Sequence, residues 1–266
     1  MVNFSELKEY IPPILARELS GLFYGWRGNY PSWQMAKSKC TGYGHDDILK
    51  KVRTAALEVS SGNAVFERDS MLFDTIEYSF PVLSAILWIA HQNLGEINLI
   101  DFGGSLGSSY FQNRYFLQAL NKVCWSVVEQ PHFVRTGKEE LANDQLHFYE
   151  SIEECLQERQ ADTILLSSVI QYLEKPYELI DNIIKNGFKY VIIDRTPFLL
   201  NGNDRITIQK VHPLIYKATY PCWFFNKEKF VSHFSGKYEL ITEFDSLDKA
   251  SIRSDFKGFI FKHRID

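Results

Sequence analysis

Short apolar runs alternate with amphipathic stretches from residue 97 onward, and this alternation limits the possible folds more than any other feature of the chain. The apolar runs predict strands, and the stretches between them predict helices. Strands separated by helices form crossover units, which place parallel strands in one sheet with helices on both faces. The predicted strands are 97–102, 125–129, 146–150, 162–168 and 189–194, and the predicted helices lie near 108–121, 131–143, 151–159 and 174–186.

The last third of the chain has a different pattern of apolar and polar residues. Two further strands are predicted at 238–244 and 258–263, after an irregular stretch at 195–224 and a helix near 226–235. The connection between these two strands is too short for a crossover, so they are expected to pair antiparallel at one sheet edge. The fold class expected for residues 96–266 is a doubly wound, Rossmann-like α/β domain with a mostly parallel seven-stranded sheet and an antiparallel edge strand.

The first 95 residues predict mainly helix and no strand, and we expect them to form a helical N-terminal appendage. Pro12-Pro13 interrupts the first segment, and residues 45–62 place apolar side chains at helical spacing. A third helical region is expected over 64–91, with a boundary or kink at Pro81.

Composition excludes several classes of protein. The net charge of −4 argues against a nucleic-acid partner, because such proteins usually carry a basic excess. Charged residues near the start disfavour a secretory signal, and the longest apolar stretch, 80–90, is too short for a bilayer span of about 20 residues. A cytoplasmic protein is expected. The four cysteines are too scattered for a zinc site, so no metal is expected and the thiols are predicted to be free and buried: Cys40, Cys124, Cys155 and Cys222.

The stretch DFGGSLG, residues 101–107, follows the first predicted strand and forms the turn where such sheets bind ligands. Its glycines allow close approach of the backbone: Gly103, Gly104 and Gly107. It departs from the dinucleotide pattern G-x-G-x-x-G at Ser105 and Ser108. A carboxylate at Asp101 would also cost on the order of 1 to 4 kcal/mol if it lay about 4 Å from a phosphate. S-adenosylmethionine (SAM) carries no phosphate and is positively charged, and Glu129, which ends the second strand, can accept its ribose hydroxyls.

The two acids and the turn between them resemble the class I SAM-dependent methyltransferases. Asp101, Gly103 and Gly107 match the first motif of that family, with Ser105 in place of the middle glycine. The resemblance implies that Glu129 binds the ribose and that Glu150 or Ser151 lies beside the adenine. The stretch ADTILLSSVIQYLEKP is similar to the family's fourth strand and the loop after it, which implies a place near the cofactor for Ser167, Ser168 and Val169.

A narrower resemblance lies in GYGHDDILKKV, FERDS, IDRTPF and YPCWFF. These stretches resemble a family of bacterial methyltransferases associated with surface-polysaccharide (O-antigen and capsule) gene clusters. The resemblance implies methyl transfer to a sugar or a sugar-derived acceptor.

Acceptor contacts are expected after the fifth strand. Residues 195–237 hold seven basic side chains against two acids, which can steer an anionic sugar or a nucleotide-sugar, although ordinary surface lysines explain them equally well. Aromatic residues in this region and at the N-terminus can stack on a sugar, but core packing is their more common use. The aromatic residues concerned are Phe23, Tyr24, Trp26, Tyr30, Trp33, Tyr216, Tyr220, Trp223, Phe224 and Phe225.

Three residues are candidates for catalysis. Asp194 and His212 are candidate bases for removing a hydroxyl proton, and Arg195 is a candidate acceptor anchor. Proximity alone lowers such barriers by roughly 7 to 11 kcal/mol, so a base is not required. Glu67, Arg68 and Asp69 are expected at a helix start, where the helix dipole accounts for the acids, and they stay outside the predicted site.

Two other classes of function compete with methyl transfer. The first is a nicotinamide-dependent oxidoreductase on a similar sheet, which Asp101 and the absent glycines disfavour. The second is a non-catalytic binding module on the same fold, or a partner subunit that uses its aromatic appendage, and the intact pair of acids argues against it. Assembly of the protein into a homo-oligomer stays open.

Overall fold

A seven-stranded sheet forms the centre of the protein in this computed structural model, which describes residues 24–42, 46–68, 70–213, 215, 217–246 and 248–264. The strands are β1 (Gly25–Tyr30), β2 (Phe66–Arg68), β3 (Met71–Phe73), β4 (Glu96–Phe102), β5 (Lys122–Val128), β6 (Leu146–Tyr149), β7 (Thr163–Ser167), β8 (Tyr190–Leu199), β9 (Arg205–Lys210), β10 (Thr219–Phe224), β11 (Tyr238–Asp245) and β12 (Ser254–His263). The helices are α1 (Trp33–Lys37), α2 (Asp46–Ser60), α3 (Phe80–Gln92), α4 (Ser108–Leu117), α5 (Pro131–Glu140), α6 (Ile152–Glu158), α7 (Pro176–Asn186) and α8 (Lys227–Ser232).

The strand order of the central sheet is β11-β12-β8-β7-β4-β5-β6. β4, β5, β6, β7 and β8 are parallel, whereas β12 runs antiparallel to both of its neighbours. The chain moves outward from β4 in one direction through β5 and β6, and then returns to place β7 on the other side of β4. The order therefore reverses between β4 and β7, which is where ligands bind in doubly wound sheets. The predicted fold class is confirmed.

Helices cover both faces of this sheet. Successive side chains of a strand point to opposite faces, so Leu99 packs in one apolar core and Ile100 in the other. The first core is shared with α2 and α3, and the second with α7 and α8. All predicted strands of the sheet form. β4 to β8 are largely apolar on both faces, as expected for buried parallel strands, whereas the antiparallel edge strand β11 is mostly exposed.

The expectation that the first 95 residues lack strands is wrong. β1 pairs with β9, and β2 pairs with β3 in a short hairpin. Residues 66–68, expected to begin a helix, are β2, and within 64–91 only α3 is a long helix. These strands are short, and β1 depends on a partner about 180 positions away in the sequence, so local periodicity does not reveal them. The Pro12-Pro13 segment lies outside the described residues.

Two local predictions in this region are confirmed. The helix predicted over 45–62 is α2, and Pro81 lies in the first turn of α3, where its missing N–H needs no partner. The division into an appendage and a sheet domain stays a prediction.

The stretch 195–224, expected to be irregular, is also mostly strand. β8 continues to Leu199, and β9 and β10 join β1 in a three-stranded antiparallel sheet. The pairing of β8 with β12 shifts register beside Arg195, which has a left-handed φ of 54°. Such a bulge interrupts the apolar pattern of a strand without ending it, which explains why the sequence places the end of β8 too early.

Candidate functional site

The turn after β4 has a backbone that few residue types can adopt. Gly103 and Gly107 have φ values of 71° and 89°, and Ser105 has a φ of 56° although it carries a side chain. The N–H of Gly103 donates to the carbonyl of Val128 on β5 at 2.8 Å. The turn is thus tied to the neighbouring strand before α4 begins.

Two glycines of this turn are required by close packing. A Cβ on Gly103 would lie 2.3 Å from Cγ2 of Val169, in the loop after β7. A Cβ on Gly104 would lie 2.5 Å from Cγ of Asp101. The turn therefore fits between the β7 loop and the end of its own strand only when these positions lack side chains.

Asp101 lies beneath the turn. Its side chain is 1% exposed, and its Oδ2 accepts a hydrogen bond from the Trp125 indole N–H at 3.1 Å. Burial raises the pKa of Asp101 to about 7, hydrogen bonds from Trp125 and Ser109 oppose the shift, and the charge of Glu129 adds to it. Asp101 therefore positions the turn and does not present its carboxylate at the surface.

Glu129 directly follows β5 and is partly exposed. Burial of its carboxyl group raises its pKa, while the N–H of Gln130, which donates to Oε1 at 3.1 Å, opposes the shift. Its own N–H donates to the carbonyl of Tyr149, which fixes the ends of β5 and β6 together. Of the two strand-ending acids, Glu129 is the one available to a ligand.

Glu150 and Ser151 follow β6. Glu150 is exposed, whereas the hydroxyl of Ser151 accepts the N–H of Glu154 at 3.0 Å and caps α6. The carboxylate of Glu154 in turn accepts the N–H of Glu150 at 2.7 Å. Ser151 is thus the N-cap of α6, so its hydroxyl already has a structural role.

The loop after β7 brings the next predicted residues to the same sheet edge. Ser167 ends β7, Ser168 has a left-handed φ of 54°, and Val169 packs on Gly103. The N–H of Ser168 donates to the carbonyl of Asp194 at 3.0 Å, which joins this loop to β8.

A cavity of about 60 Å³ opens beside this loop. Residues from four elements line it, namely Glu67 and Arg68 of β2, Ser108 and Ser109 of α4, Ser167 of β7, and Asp194 and Arg195 of β8.

Asp194 is 2% exposed and is held by hydroxyl groups. Ser246 Oγ donates to its Oδ1 at 2.8 Å and accepts the N–H of Arg195 at 3.0 Å. Burial raises the pKa of Asp194, and the hydrogen bond from Ser246 and the charge of Arg195 oppose the shift. Arg195 pairs with Asp248, with Nε 2.5 Å from Oδ2.

Of the three predicted catalytic residues, the structure brings Asp194 and Arg195 together and leaves His212 apart from them. His212 follows β9, its ring centroid lies 4.6 Å from that of Tyr24, and it is not among the described residues that line the cavity.

The basic residues predicted to steer an anion are mostly bound elsewhere. Lys227 pairs with Glu243, Lys229 pairs with Asp204, and Arg205 donates to the Gly28 carbonyl. The seven residues of this set are Arg195, Arg205, Lys210, Lys217, Lys227, Lys229 and Lys237, and of these Arg195 alone lines the cavity.

The predicted aromatic residues mostly join the three-stranded sheet to the rest of the protein. Trp33 stacks on Trp223 with ring centroids 6.0 Å apart, and Trp26 meets Phe224 edge-on at the same distance. Phe224 and Phe225 are fully buried. Core packing is therefore their observed use, while Phe23 and Tyr216 lie outside the described residues.

Glu67, which lies outside the predicted site, is one of the residues that line the cavity. It is 3% exposed and accepts a hydrogen bond from the hydroxyl of Ser108, in the first turn of α4. Its place depends on the hairpin β2–β3 packing against a helix about 40 residues away. No local signal in FERDS indicates that contact, and Asp69 lies outside the described residues.

No disulfide links the four cysteines, all of which lie among the described residues. Cys124, Cys155 and Cys222 are buried as predicted, and Cys40 is partly exposed. Within the same residues, no group of side chains could hold a metal ion, and no helix has the length and apolar character needed to cross a bilayer.

The fold is a doubly wound α/β sheet, and the candidate site lies at the strand-order reversal. No protein-family profile matches the chain, and no curated protein matches it in sequence.

Solved structures with a similar fold were found. The N-terminal domain of EvdMO1, in the presence of SAH and D-fucose, is 12% identical over 83% of this chain and 98% of that chain, with a TM-score of 0.48. The 1,6-didemethyltoxoflavin-N1-methyltransferase of Burkholderia thailandensis is 13% identical over 85% and 92%, with a TM-score of 0.43. Magnesium protoporphyrin IX methyltransferase of Synechocystis PCC 6803 with bound SAH is 11% identical over 84% and 90%, with a TM-score of 0.46. These identities and TM-scores support no assignment of residue roles, and the strand order of this chain itself shows its fold.

Proposed function

We propose that this protein is a SAM-dependent methyltransferase. The observation that carries the proposal is the pair of acids that end β4 and β5 at the strand-order reversal, Asp101 and Glu129, with no basic residue in the turn 101–109 between β4 and α4. Burial is the main cause of the raised pKa of both carboxyl groups, and the charge of Glu129 adds to the shift at Asp101. When ionised, these acids repel a pyrophosphate and attract a cationic nucleoside.

The residues at the sheet edge fit SAM in the following way. Glu129 accepts the ribose hydroxyls, Glu150 and the backbone at Ser151 lie toward the adenine, and the turn from Gly103 to Gly107 supports the nucleoside from below. Ser167, Ser168 and Val169 lie toward the sulfur. When bound, SAM supplies an electrophilic methyl group on its sulfonium.

We further propose that the acceptor is the hydroxyl group of a sugar or sugar-derived molecule of surface-polysaccharide synthesis. The acceptor enters the cavity between β2 and β8, and the reaction takes place in the cytoplasm. Asp194 would accept the hydroxyl proton of the acceptor, and SAM, when bound, would supply the methyl group that replaces it. The raised pKa of Asp194 makes it a stronger base than an ordinary carboxylate. Arg195, fixed by Asp248, orients the acceptor.

Isothermal titration with S-adenosylhomocysteine (SAH) tests the cofactor assignment. We expect binding by the unmodified protein and an increase in Kd of about tenfold or more for Glu129→Ala, because hydrogen bonds to a charged acceptor contribute about 1.5 to 3 kcal/mol. Glu139→Ala is the matched control, since Glu139 is an exposed glutamate of α5. Equal binding by the two variants would remove the ribose assignment, and NADH binding with no SAH binding would favour the oxidoreductase.

A further inference from the structure

Three positions at the candidate site hold side chains in a backbone conformation that disfavours them. Ser105, Ser168 and Arg195 have φ values of 56°, 54° and 54°, and they are three of the five non-glycine residues with positive φ in the described part of the chain. Such strain persists where the surrounding structure enforces it, and it is enriched at functional sites.

One buried side chain links two of these positions. Gln171, in the short 3₁₀ helix Ile170–Tyr172, is fully buried. Its Nε2 donates to Ser168 Oγ at 3.2 Å and to the carbonyl of Arg195 at 3.1 Å. The amide of Gln171 thus connects the loop after β7 with the bulge in β8.

Gln171 is poorly suited to a purely structural role. Its Oε1 is buried and has no hydrogen-bond partner among the described residues. A buried acceptor without a partner destabilises a fold, whereas an apolar side chain of similar shape would leave no such group. Stability alone therefore does not explain a glutamine at this position.

We propose that Gln171 is a positioning residue, which holds Ser168 and Arg195 in their left-handed conformations and thereby sets the spacing between the cofactor side and the acceptor side of the site. The proposal rests on the proposed function, because the spacing matters only if a ligand lies across these two strand ends. Gln171 acts through Ser168 and Arg195 and not by contact with the reacting atoms.

The test compares Gln171→Met, which keeps the volume and removes both hydrogen bonds, with the double variant Gln171→Met/Ser168→Gly. Glycine adopts a positive φ without a hydrogen bond to enforce it. The Kd values of SAH and of adenosine are measured by titration, and the stability is measured by urea unfolding. Gln118→Met serves as the control, since Gln118 is exposed at the end of α4.

We expect Gln171→Met to raise the Kd of SAH about tenfold, in the range seen when supporting contacts are removed. Adenosine lacks the part of SAH that would lie over the β7 loop, so its Kd should change less than about twofold. The urea midpoint should change little, because removal of the unpaired Oε1 offsets the loss of the two hydrogen bonds. Ser168→Gly should return the Kd of SAH to within about threefold of the unmodified protein.

Two results would overturn the proposal. One is an unchanged Kd of SAH in Gln171→Met, and the other is an equal loss of affinity for SAH and adenosine that Ser168→Gly does not restore. If the unmodified protein does not bind SAH at all, the proposed function fails first, and this outcome is distinguishable because it does not depend on any variant.

Discussion

The turn after β4 and the strand ends of β7 and β8 form neighbouring parts of one site, yet they are built by different means. In the turn, seven consecutive residues carry both the shape and the charge, and glycines at Gly103 and Gly104 permit the close packing. At β7 and β8, side chains from distant positions enforce the shape, with Gln171 and Ser246 binding the strained backbone. A turn specified by its own sequence can be recognised in one motif, whereas an assembled site cannot.

The strongest test of this contrast is the substitution Gly103→Ala. The new Cβ would lie 2.3 Å from Val169 and would force a side chain into a φ of 71°, so we expect a loss of about 2 to 4 kcal/mol in the free energy of unfolding. Urea denaturation measures the loss. Gly187→Ala is the matched control, because Gly187 has a φ of 70° and open space around its Cβ position.

The control should cost about 1 kcal/mol, which isolates the effect of φ. Adding Val169→Ala to Gly103→Ala should restore part of the loss, because it removes the atom that the new Cβ meets. Equal losses for Gly103→Ala and Gly187→Ala would show that the turn does not depend on packing against the β7 loop.

The substitution Asp101→Asn tests how the charge of the buried carboxyl group affects the stability of the turn. The pKa of Asp101 rises from 3.8 to about 7 on folding, so between these values the folded protein binds more protons than the unfolded chain. Stability due to this group therefore falls as pH rises toward 7 and is constant above it. Asparagine does not titrate, and its amide oxygen can still accept from Trp125.

The unfolding free energy of Asp101→Asn minus that of the unmodified protein should increase by about 2 to 3 kcal/mol between pH 5 and pH 8. A pKa difference of one unit corresponds to about 1.4 kcal/mol. Urea unfolding at both pH values provides the measurement. A constant difference between the two proteins would mean that Asp101 is not the titrating group, and a difference that shrinks as pH rises would reverse the sign of the argument.

The same contrast explains how much the sequence predicts. The seven strands of the sheet and the helix α2 follow from apolar periodicity, which each segment carries in itself. β1 is missed because it pairs with β9 far away in the sequence, and the bulge at Arg195 hides the second half of β8. β9 and β10 are neighbours in the sequence and pair with each other, so distance does not explain why they are missed.

The site divides in the same way. Asp101 and Glu129 can be proposed from the sequence because they lie at the carboxyl ends of β4 and β5, whereas Asp194 lies within β8, whose end the sequence places too early, and the roles of all three stay predictions. Glu67 and Gln171 are not found, since β2 reaches the cavity only through tertiary packing and Gln171 binds a backbone carbonyl 24 positions away. His212 is a titratable residue that follows β9, and it is not among the described residues that line the cavity.

At the ends of β7 and β8, Ser246→Ala removes two hydrogen bonds around the bulge in β8. Asp194 would lose a donor at 2.8 Å, and the N–H of Arg195 would lose an acceptor at 3.0 Å, so we expect a loss of about 1 to 2 kcal/mol in unfolding free energy. Ser235→Ala, at an exposed serine bonded only to its own turn, should cost less than about 0.5 kcal/mol.

The Ser246 hydrogen bond lowers the pKa of Asp194, so its removal should also make the carboxyl group harder to ionise. The acidic limb of the rate profile should therefore move to higher pH if Asp194 is the base. A stability loss without this movement would keep Ser246 as a structural partner and remove Asp194 from catalysis.

The smallest expected effect belongs to Ser105→Gly. Glycine relieves the strain of a φ of 56°, but it also gives the unfolded chain more freedom, and each of these contributions is about 1 kcal/mol. They oppose one another, so the unfolding free energy should change by less than about 0.5 kcal/mol and the Kd of SAH should stay within about twofold. Ser105→Val, which cannot adopt this φ without strain, should instead cost about 2 kcal/mol. A large gain in unfolding free energy for Ser105→Gly would mean that the serine is kept for its hydroxyl group. The turn would then depend on a side chain, as the ends of β7 and β8 do.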